Sequence, residues 1–345
     1  MFSFIIKKLG YGILVMFGVV VIVFFLFQGF GDPSRLIIGQ TGDSTTIKNI
    51  RKELALDQPK WKQFTMYLND ISPLGFYSKT ERKEKNIKGY FVGNVGIKLP
   101  YLRRSYQTKK NVSTILSEAI PQTIVLAFAA MFIAIVFGIA LGVVAALKQN
   151  TWLDTGSIFT SVLGISAPSF FMGIVIAYLF GFVLNNYTNL PLTGSLYEID
   201  AFNGKQLQLK NLILPAITLG IRPMAIITQI TRSAMLDVLN QDYIRTAYAK
   251  GLSTKMVVWK HALKNALNPV ITSITGWFAE LLAGAFFVEY IFGWNGIGKL
   301  TVMALENLDF PVVMGSVLLT ASFFILVNII ADLLYSYIDP RIKLS

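Results

Sequence analysis

The sequence predicts an all-α polytopic membrane protein: six transmembrane helices, with a large extracytoplasmic loop between the first and second. Three observations predict it. Hydrophobic residues fill 54% of the 345 positions and charged residues 14%, with a mean hydropathy of +0.56, more apolar and far less charged than a soluble domain. Four runs of at least 22 residues carry no charge (9–30, 119–147, 156–184 and 310–331), and about 20 residues span a bilayer; two more, 212–231 and 269–292, carry only Arg222, and Glu280 with Glu289. The short polar segments between runs sort by charge. Segment 232–264 holds six basic and two acidic residues, 185–210 is neutral and 293–309 nets minus one, which puts the first inside and the other two outside.

Taken in order, residues 1–30 form the first helix, its uncharged run 9–30 preceded by Lys7 and Lys8. Its apolar core is longer than that of a secretory signal, so it is read as a retained span starting in the cytoplasm. Residues 31–114 form the outer loop or subdomain, polar, basic and turn-rich; loops beyond about 60 residues translocate largely regardless of charge. Residues 115–345 form a five-helix core with helices near 119–147, 156–184, 212–231, 269–292 and 310–335. Pro121 suits a helix's first turn, and Pro168 predicts a kink in the third span, as cavity lining or as ordinary packing. The last span leads to Asp339, Arg341 and Lys343 in the cytoplasm.

The loop 232–268 organises the core. Leu236, Leu239, Tyr243 and Ala247 recur at helical spacing, as do Met256, Trp259, Leu263 and Leu267. Asp242 suits the cap of a short helix over 243–250, Gly251 the left-handed residue that ends it, and Ser253 the cap of the next. Two short amphipathic helices joined at Gly251-Leu252-Ser253 form a rigid handle for a partner.

The wording DYIRTAYAKGLS, then HALKNALNP, resembles the cytoplasmic EAA loop of ABC-importer permeases, in their oligopeptide and dipeptide branch (OppB/DppB-like). Of the general pattern, Ala247, Gly251 and Leu263 are kept, while Arg245 stands where the family has Glu. Gly31-Asp32-Pro33, Leu54-Ala55-Leu56-Asp57-Gln58-Pro59, Arg104-Ser105-Tyr106, the run 112–123 and Asp339-Pro340-Arg341 are similar to the same branch. Residues 72–98, including KTERKEKNIK, resemble an insertion in it, either a solvated elaboration or a contact with an anionic surface or external binding protein.

The resemblance implies a type I ABC importer permease fold in a bacterial inner membrane, with both termini cytoplasmic. It implies that Tyr243, Arg245, Ala247, Gly251, Leu252, Ser253 and Leu263 couple to two ATP-binding subunits of the OppD/OppF kind, which hold the ATP and magnesium. The further implied partners are a second permease (OppC/DppC-like), an extracytoplasmic substrate-binding lipoprotein, membrane lipid and a peptide; nickel, another metal chelate or another small solute is the alternative cargo. This chain itself is expected to bind no cofactor or metal and to catalyse nothing.

Other features set limits. The absence of cysteine and the single His261 exclude a disulfide framework and most zinc sites, and His261 reads as a surface residue of the second short helix. The net charge of +12 lacks the clustering of nucleic-acid readers, so no nucleic acid is expected. Gly293 to Lys299 spells a P-loop, yet Leu300 replaces the magnesium hydroxyl and no strand precedes it; in the family reading Gly293, Gly296 and Gly298 form an external gate loop. Asn111-Val112-Ser113 is a glycosylation pattern by spelling alone. A charge within a span is costly, so Arg222 and Glu280 either face a water-filled path or pair with each other, and Glu289 is either hydrated at the outer interface or lines the mouth. A secondary transporter would show repeats or relays of ionisable groups, and a membrane enzyme a nucleophile and base on adjacent spans; neither is visible.

Overall fold

A computed structural model of the chain describes residues 2–28, 51, 56–200, 202–283 and 285–338. Gly31-Asp32-Pro33, Leu54 with Ala55, and Asp339-Pro340-Arg341 lie outside them. Among the described residues the chain is mostly helical, with two small antiparallel sheets and connecting loops, and it divides into two compact units.

One unit comprises Leu9–Ala119 and Leu300–Ala321. Helix α1 (Phe2–Gln28) contributes Val20, Val23 and Phe24 to a core with Tyr67 of α2 (Lys60–Ile71) and with Met314 and Leu318. The segment 72–98 is folded. Strand β1 (Leu74–Phe76), helix α3 (Lys79–Glu84), β2 (Gly89–Val92) and β3 (Val95–Lys98) form a sheet in the order β1-β3-β2. The charged run becomes a helix because Ser78 and Glu81 make a capping box: the Ser78 hydroxyl accepts from the Glu81 amide, and the Glu81 carboxylate from the Ser78 amide.

Asp70, buried at the end of α2, fastens this segment. Its carboxylate accepts from Tyr77 Oη at 2.8 Å, Lys85 Nζ at 3.3 Å and Arg103 Nε at 2.8 Å, while Lys98 Nζ donates to the Asp70 and Ser72 carbonyls. Burial and then the Asp70 charge push the Tyr77 hydroxyl pKa up, so Tyr77 remains the donor.

The other unit comprises Ile120–Lys299 with the two ends, Met1–Lys8 and Ser322–Ser345. Helix α4 (Val112–Leu147) runs 36 residues. It starts before the expected 119, so Pro121 lies inside the helix and not in its first turn. The extension is amphipathic, and it buries Val112 and Leu116. The expected third span is two helices, α5 (Trp152–Ser166) and α6 (Ser169–Ile176, continuing as a π-helix over Ala177–Val183), bent by 109°. The physical cause is Pro168: the residue before a proline is driven out of the helical region, and Ala167 is extended at φ −76°, ψ 130°. A sharp elbow replaces the expected kink.

A short helix α7 (Asn185–Thr188) and a hairpin of β4 (Tyr197–Asp200) and β5 (Gly204–Leu207) follow. Helix α8 (Lys210–Leu239) absorbs Pro215 and Pro223 and packs against α5, α6 and α11 (Leu263–Ala283). Helices α4 and α8 meet through small residues. A Cβ on Gly142 would lie 2.7 Å from the Thr228 carbonyl oxygen, and one on Gly220 2.8 Å from that of Ala130.

Beyond α8 come α9 (Asp242–Ala249) and α10 (Thr254–Met256), the latter continuing through a π-helical turn (Val257–Ala262) into α11. The expected fifth span stops short: α11 ends at Ala283, and α12 (Phe286–Ile291) is separate. Helices α13 (Ile297–Glu306) and α14 (Phe310–Ile338) complete the order.

Four described helices, α1, α4, α8 and α14, are long and apolar enough to cross a membrane, or five crossings if the bent pair is one. Helix α11, with Lys264 and Glu280 among its 21 residues, is the sixth candidate and falls short of that apolarity. Six spans are consistent with this architecture.

Candidate functional site

Three groups of residues singled out by the sequence lie in the second unit. The first is the polar helix pair. Gln241, not Asp242, holds the N-cap position, and its side chain makes no cap hydrogen bond; Asp242 is the first helical residue, where its charge favours the helix N-terminus. Gly251 has φ +78°, the left-handed geometry expected of it. Ser253 occupies the next N-cap position without a side-chain bond. There is no separate second rod, because α10, the π-helical turn and α11 are continuous.

The pair rests on a buried core of Val143, Ala146, Met235, Ile244, Ala247, Val257, Val258, Ala262, Leu263 and Ala266. Ala247 and Leu263 are part of this buried core. The outward face carries Tyr243, Tyr248, Met256 and Trp259, all at least two-fifths exposed, with Gly251 and Ser253 exposed and Leu252 half-buried. The stripe of Met256, Trp259, Leu263 and Leu267 is thus split between surface and core, because the π-helical turn shifts the helical phase. Arg245 is exposed and reaches Asp242 at 3.5 Å, a surface pair of little energetic weight. The Tyr243 hydroxyl accepts from Asn265 Nδ2 at 2.9 Å and ties α9 to α11.

Arg232 and Asp154 were not picked out together by the sequence. Arg232 donates to both Asp154 oxygens, at 2.5 and 2.8 Å, joining the start of α5 to α8, and the Asn150 amide donates to Asp154 as well. These hydrogen bonds, from Arg232 first, hold the Asp154 carboxyl below its ordinary range. Seventy-eight residues of chain separate the partners, so no local pattern signals them.

The second group surrounds a cavity of about 210 Å³ between α5, α6, α8, α11 and α12. Arg222 and Glu280 both line it, with Trp277, Ser169, Thr218 and Phe287. Both charged residues are exposed, and among the described residues no ion pair joins them. Arg222 instead lies over the Trp277 ring, 5.4 Å from its centre, a cation–π distance. Of the two readings open in the sequence, the structure does not show the mutual pair. Trp277 carried no signal of its own.

The third group is the turn 293–298. Glu289 is fully buried, not hydrated at an interface. Its carboxylate accepts from Thr123 Oγ1 at 2.8 Å and from the amides of Gly298 at 2.7 Å and Lys299 at 3.2 Å, which caps α13. The glycines make this approach feasible. A Cβ on Gly296 would collide with the Glu289 carboxylate, and one on Gly298 would lie 2.7 Å from Phe286 Cα, while Gly293 has φ +69°. Lys299 Nζ donates to the Gly293 carbonyl and to Asn295 Oδ1. The amides and lysine that would face a phosphate in a P-loop are thus engaged within the protein. Trp294, fully buried, donates from Nε1 to the Gln122 carbonyl.

A long helical chain with several apolar spans of this kind has known counterparts. Residues 138–344 match the model of the family described as binding-protein-dependent transport system inner membrane component, and residues 1–127 match the N-terminal model of such membrane components. The chain belongs to this family.

The permease is 35% identical to the dipeptide transport system permease protein DppB of Alkalihalophilus pseudofirmus over 99% of this chain and 100% of that one. It is 37% identical to the di/tripeptide transport system permease protein DppB of Pseudomonas aeruginosa, over 99% of each. The glutathione transport system permease protein GsiC of Escherichia coli is 35% identical, again over 99% of each. A solved structure of the MetNI methionine ABC transporter matches with a TM-score of 0.50 and 15% identity, covering 66% of this chain and 97% of that one, so the fold is shared. The permease is a multi-pass membrane subunit of an ABC-type transport system, as these relatives are.

Proposed function

We propose that the permease forms half of the translocation path of an ATP-driven importer of short peptides, working with a second, similar permease, two ATPase subunits and an extracytoplasmic binding protein. The observation that carries this reading is the helix pair 242–266: an apolar underside locked to the ends of α4 and α8, and an outward face of aromatic, methionine and basic side chains. Such a face suits a groove on a partner protein. Peptides are the favoured cargo because full-length relatives are named for dipeptide, di/tripeptide and glutathione transport.

In this reading both termini and the helix pair face the cytoplasm, and the segment 56–110 and the turn 293–298 face outward. The ATPases close around ATP and displace α9 and α10. The force passes through the continuous α10–α11 rod and through Arg232 and Asp154 to the bent pair α5–α6, tilting the spans between inward-open and outward-open forms. Binding and hydrolysis of ATP belong to the partners, and this chain performs the conformational work.

Gly251 provides the test. Trp is strained at φ +78°, whereas Asn tolerates that geometry. Gly251→Trp is expected to insert in the membrane yet reduce ATP-driven peptide uptake in vesicles by about tenfold or more, if the strain of roughly 1–3 kcal/mol displaces the contact face. Gly251→Asn should retain most uptake. Normal uptake by Gly251→Trp would sink the coupling assignment.

A further inference from the structure

Arg222 and Glu280 present opposite charges to one cavity, from neighbouring helices, without meeting each other. Both are exposed on the cavity wall and no ion pair among the described residues engages either, so each is free to take a counter-charge from a ligand. Their spacing says what kind. Trp277 and Glu280 are three residues apart on α11 and so lie on one face, with Cβ atoms roughly 5–6 Å apart, and the Arg222 guanidinium sits 5.4 Å from the Trp277 ring centre. Arg222 and Glu280 thus stand close together on the wall of one small cavity of about 210 Å³, near enough for a single short ligand to touch both. The remaining lining is apolar and aromatic with two hydroxyls, from residues such as Phe287, Met172, Ser169 and Thr218, as in sites that fix a ligand by a few polar groups.

We propose that this cavity is a subsite for the two charged ends of a short zwitterionic peptide, with Arg222 taking the carboxylate and Glu280 the ammonium group. Trp277 holds the guanidinium from behind, leaving its outer N–H groups free for the bidentate hydrogen bonds that guanidinium makes to carboxylate. The aromatic and apolar walls accept side chains without reading them, so the site selects for free termini and short length over sequence. The assignment rests on the peptide reading given above.

The test uses the assembled transporter in lipid nanodiscs without its binding protein, titrated calorimetrically with alanyl-alanine, its N-acetyl derivative and its C-terminal amide. The unmodified transporter should bind the free dipeptide about tenfold or more tighter than either blocked form, since each blocked end removes a charge-assisted contact. Glu280→Gln should bind the free and N-acetyl peptides alike, and Arg222→Gln the free and amidated peptides alike. Absence of any preference in the unmodified transporter, which needs no variant to fold, overturns the proposal, as do variants that keep the full preference. Proteoliposome uptake separates the two readings. Dipeptide uptake by a transporter indifferent to blocked termini sinks this subsite alone, whereas no ATP-driven dipeptide uptake sinks the peptide reading and the subsite with it.

Discussion

A few buried carboxylates hold the permease together at the residue scale, and each does so with partners remote in sequence. Glu289 satisfies one hydroxyl and two amides in a fully enclosed place. Replacing it with Ala orphans all three, at about 1–3 kcal/mol per unsatisfied group. Glu289→Ala should therefore lower the apparent Tm of the purified protein by several degrees and loosen the turn 293–298, seen as faster amide exchange there; unchanged exchange would contradict the capping role. Asp154 yields a pH prediction. Its folded pKa is lowered below the ordinary 3.8, so its contribution is fully present above that value and is lost as pH falls through the lower folded one. The difference in apparent Tm between the native protein and Asp154→Asn, corresponding to about 2 kcal/mol, should be constant from neutral pH down to about pH 5 and shrink only below about pH 4. A difference that fades near pH 6 would mean that another group sets it.

Elements with a strong local signal were legible, and those decided by tertiary contacts were not. The uncharged runs marked α1, α4 and α14, and Gly251 marked the left-handed break, since a residue at positive φ has few substitutes. Pro168 marked the place of the α5–α6 break but not its 109° angle, which depends on what the two arms pack against. The capping box of Ser78 and Glu81 was readable as a helix start within the charged run, yet the dense lysines suggested a solvated elaboration or a contact with an anionic surface or binding protein. The register of the β1-β3-β2 sheet was not readable. It places Leu74, Ile97 and Tyr90 in one row and Phe76, Val95 and Val92 in the next, all exposed, so strands with an apolar outward face offered no inside-and-out alternation. Asp70 helps pin this small fold to α2, beside Asn69, which exchanges two hydrogen bonds with Phe76. Asp70→Ala leaves Lys85, Arg103 and Tyr77 without their shared acceptor, and limited proteolysis should then cut within 72–98 at least several-fold faster, with the helical core still intact. Equal cleavage rates would show that the remaining contacts, those of Asn69 and Lys98 among them, suffice.

For the molecule as a whole, composition and run lengths settled the class, and the charge of the short loops gave a topology that the helix order accommodates. The site was half legible. Arg222 and Glu280 were flagged because charges in spans are costly, and that logic also led to their common cavity. Trp277, Asp154 and Thr123 went unseen because an indole, a carboxylate near a span's end and a hydroxyl are ordinary on their own and acquire roles only through distant partners. The near contact of α4 with α8 has a mechanical corollary. At Gly142 and Gly220 a backbone carbonyl of the facing helix lies where a Cβ would sit, so close packing leaves little room there for the two helices to slide past each other. Bending is then expected at the proline elbow 167–168, where the helical ladder is broken, and not at the tightly packed seam.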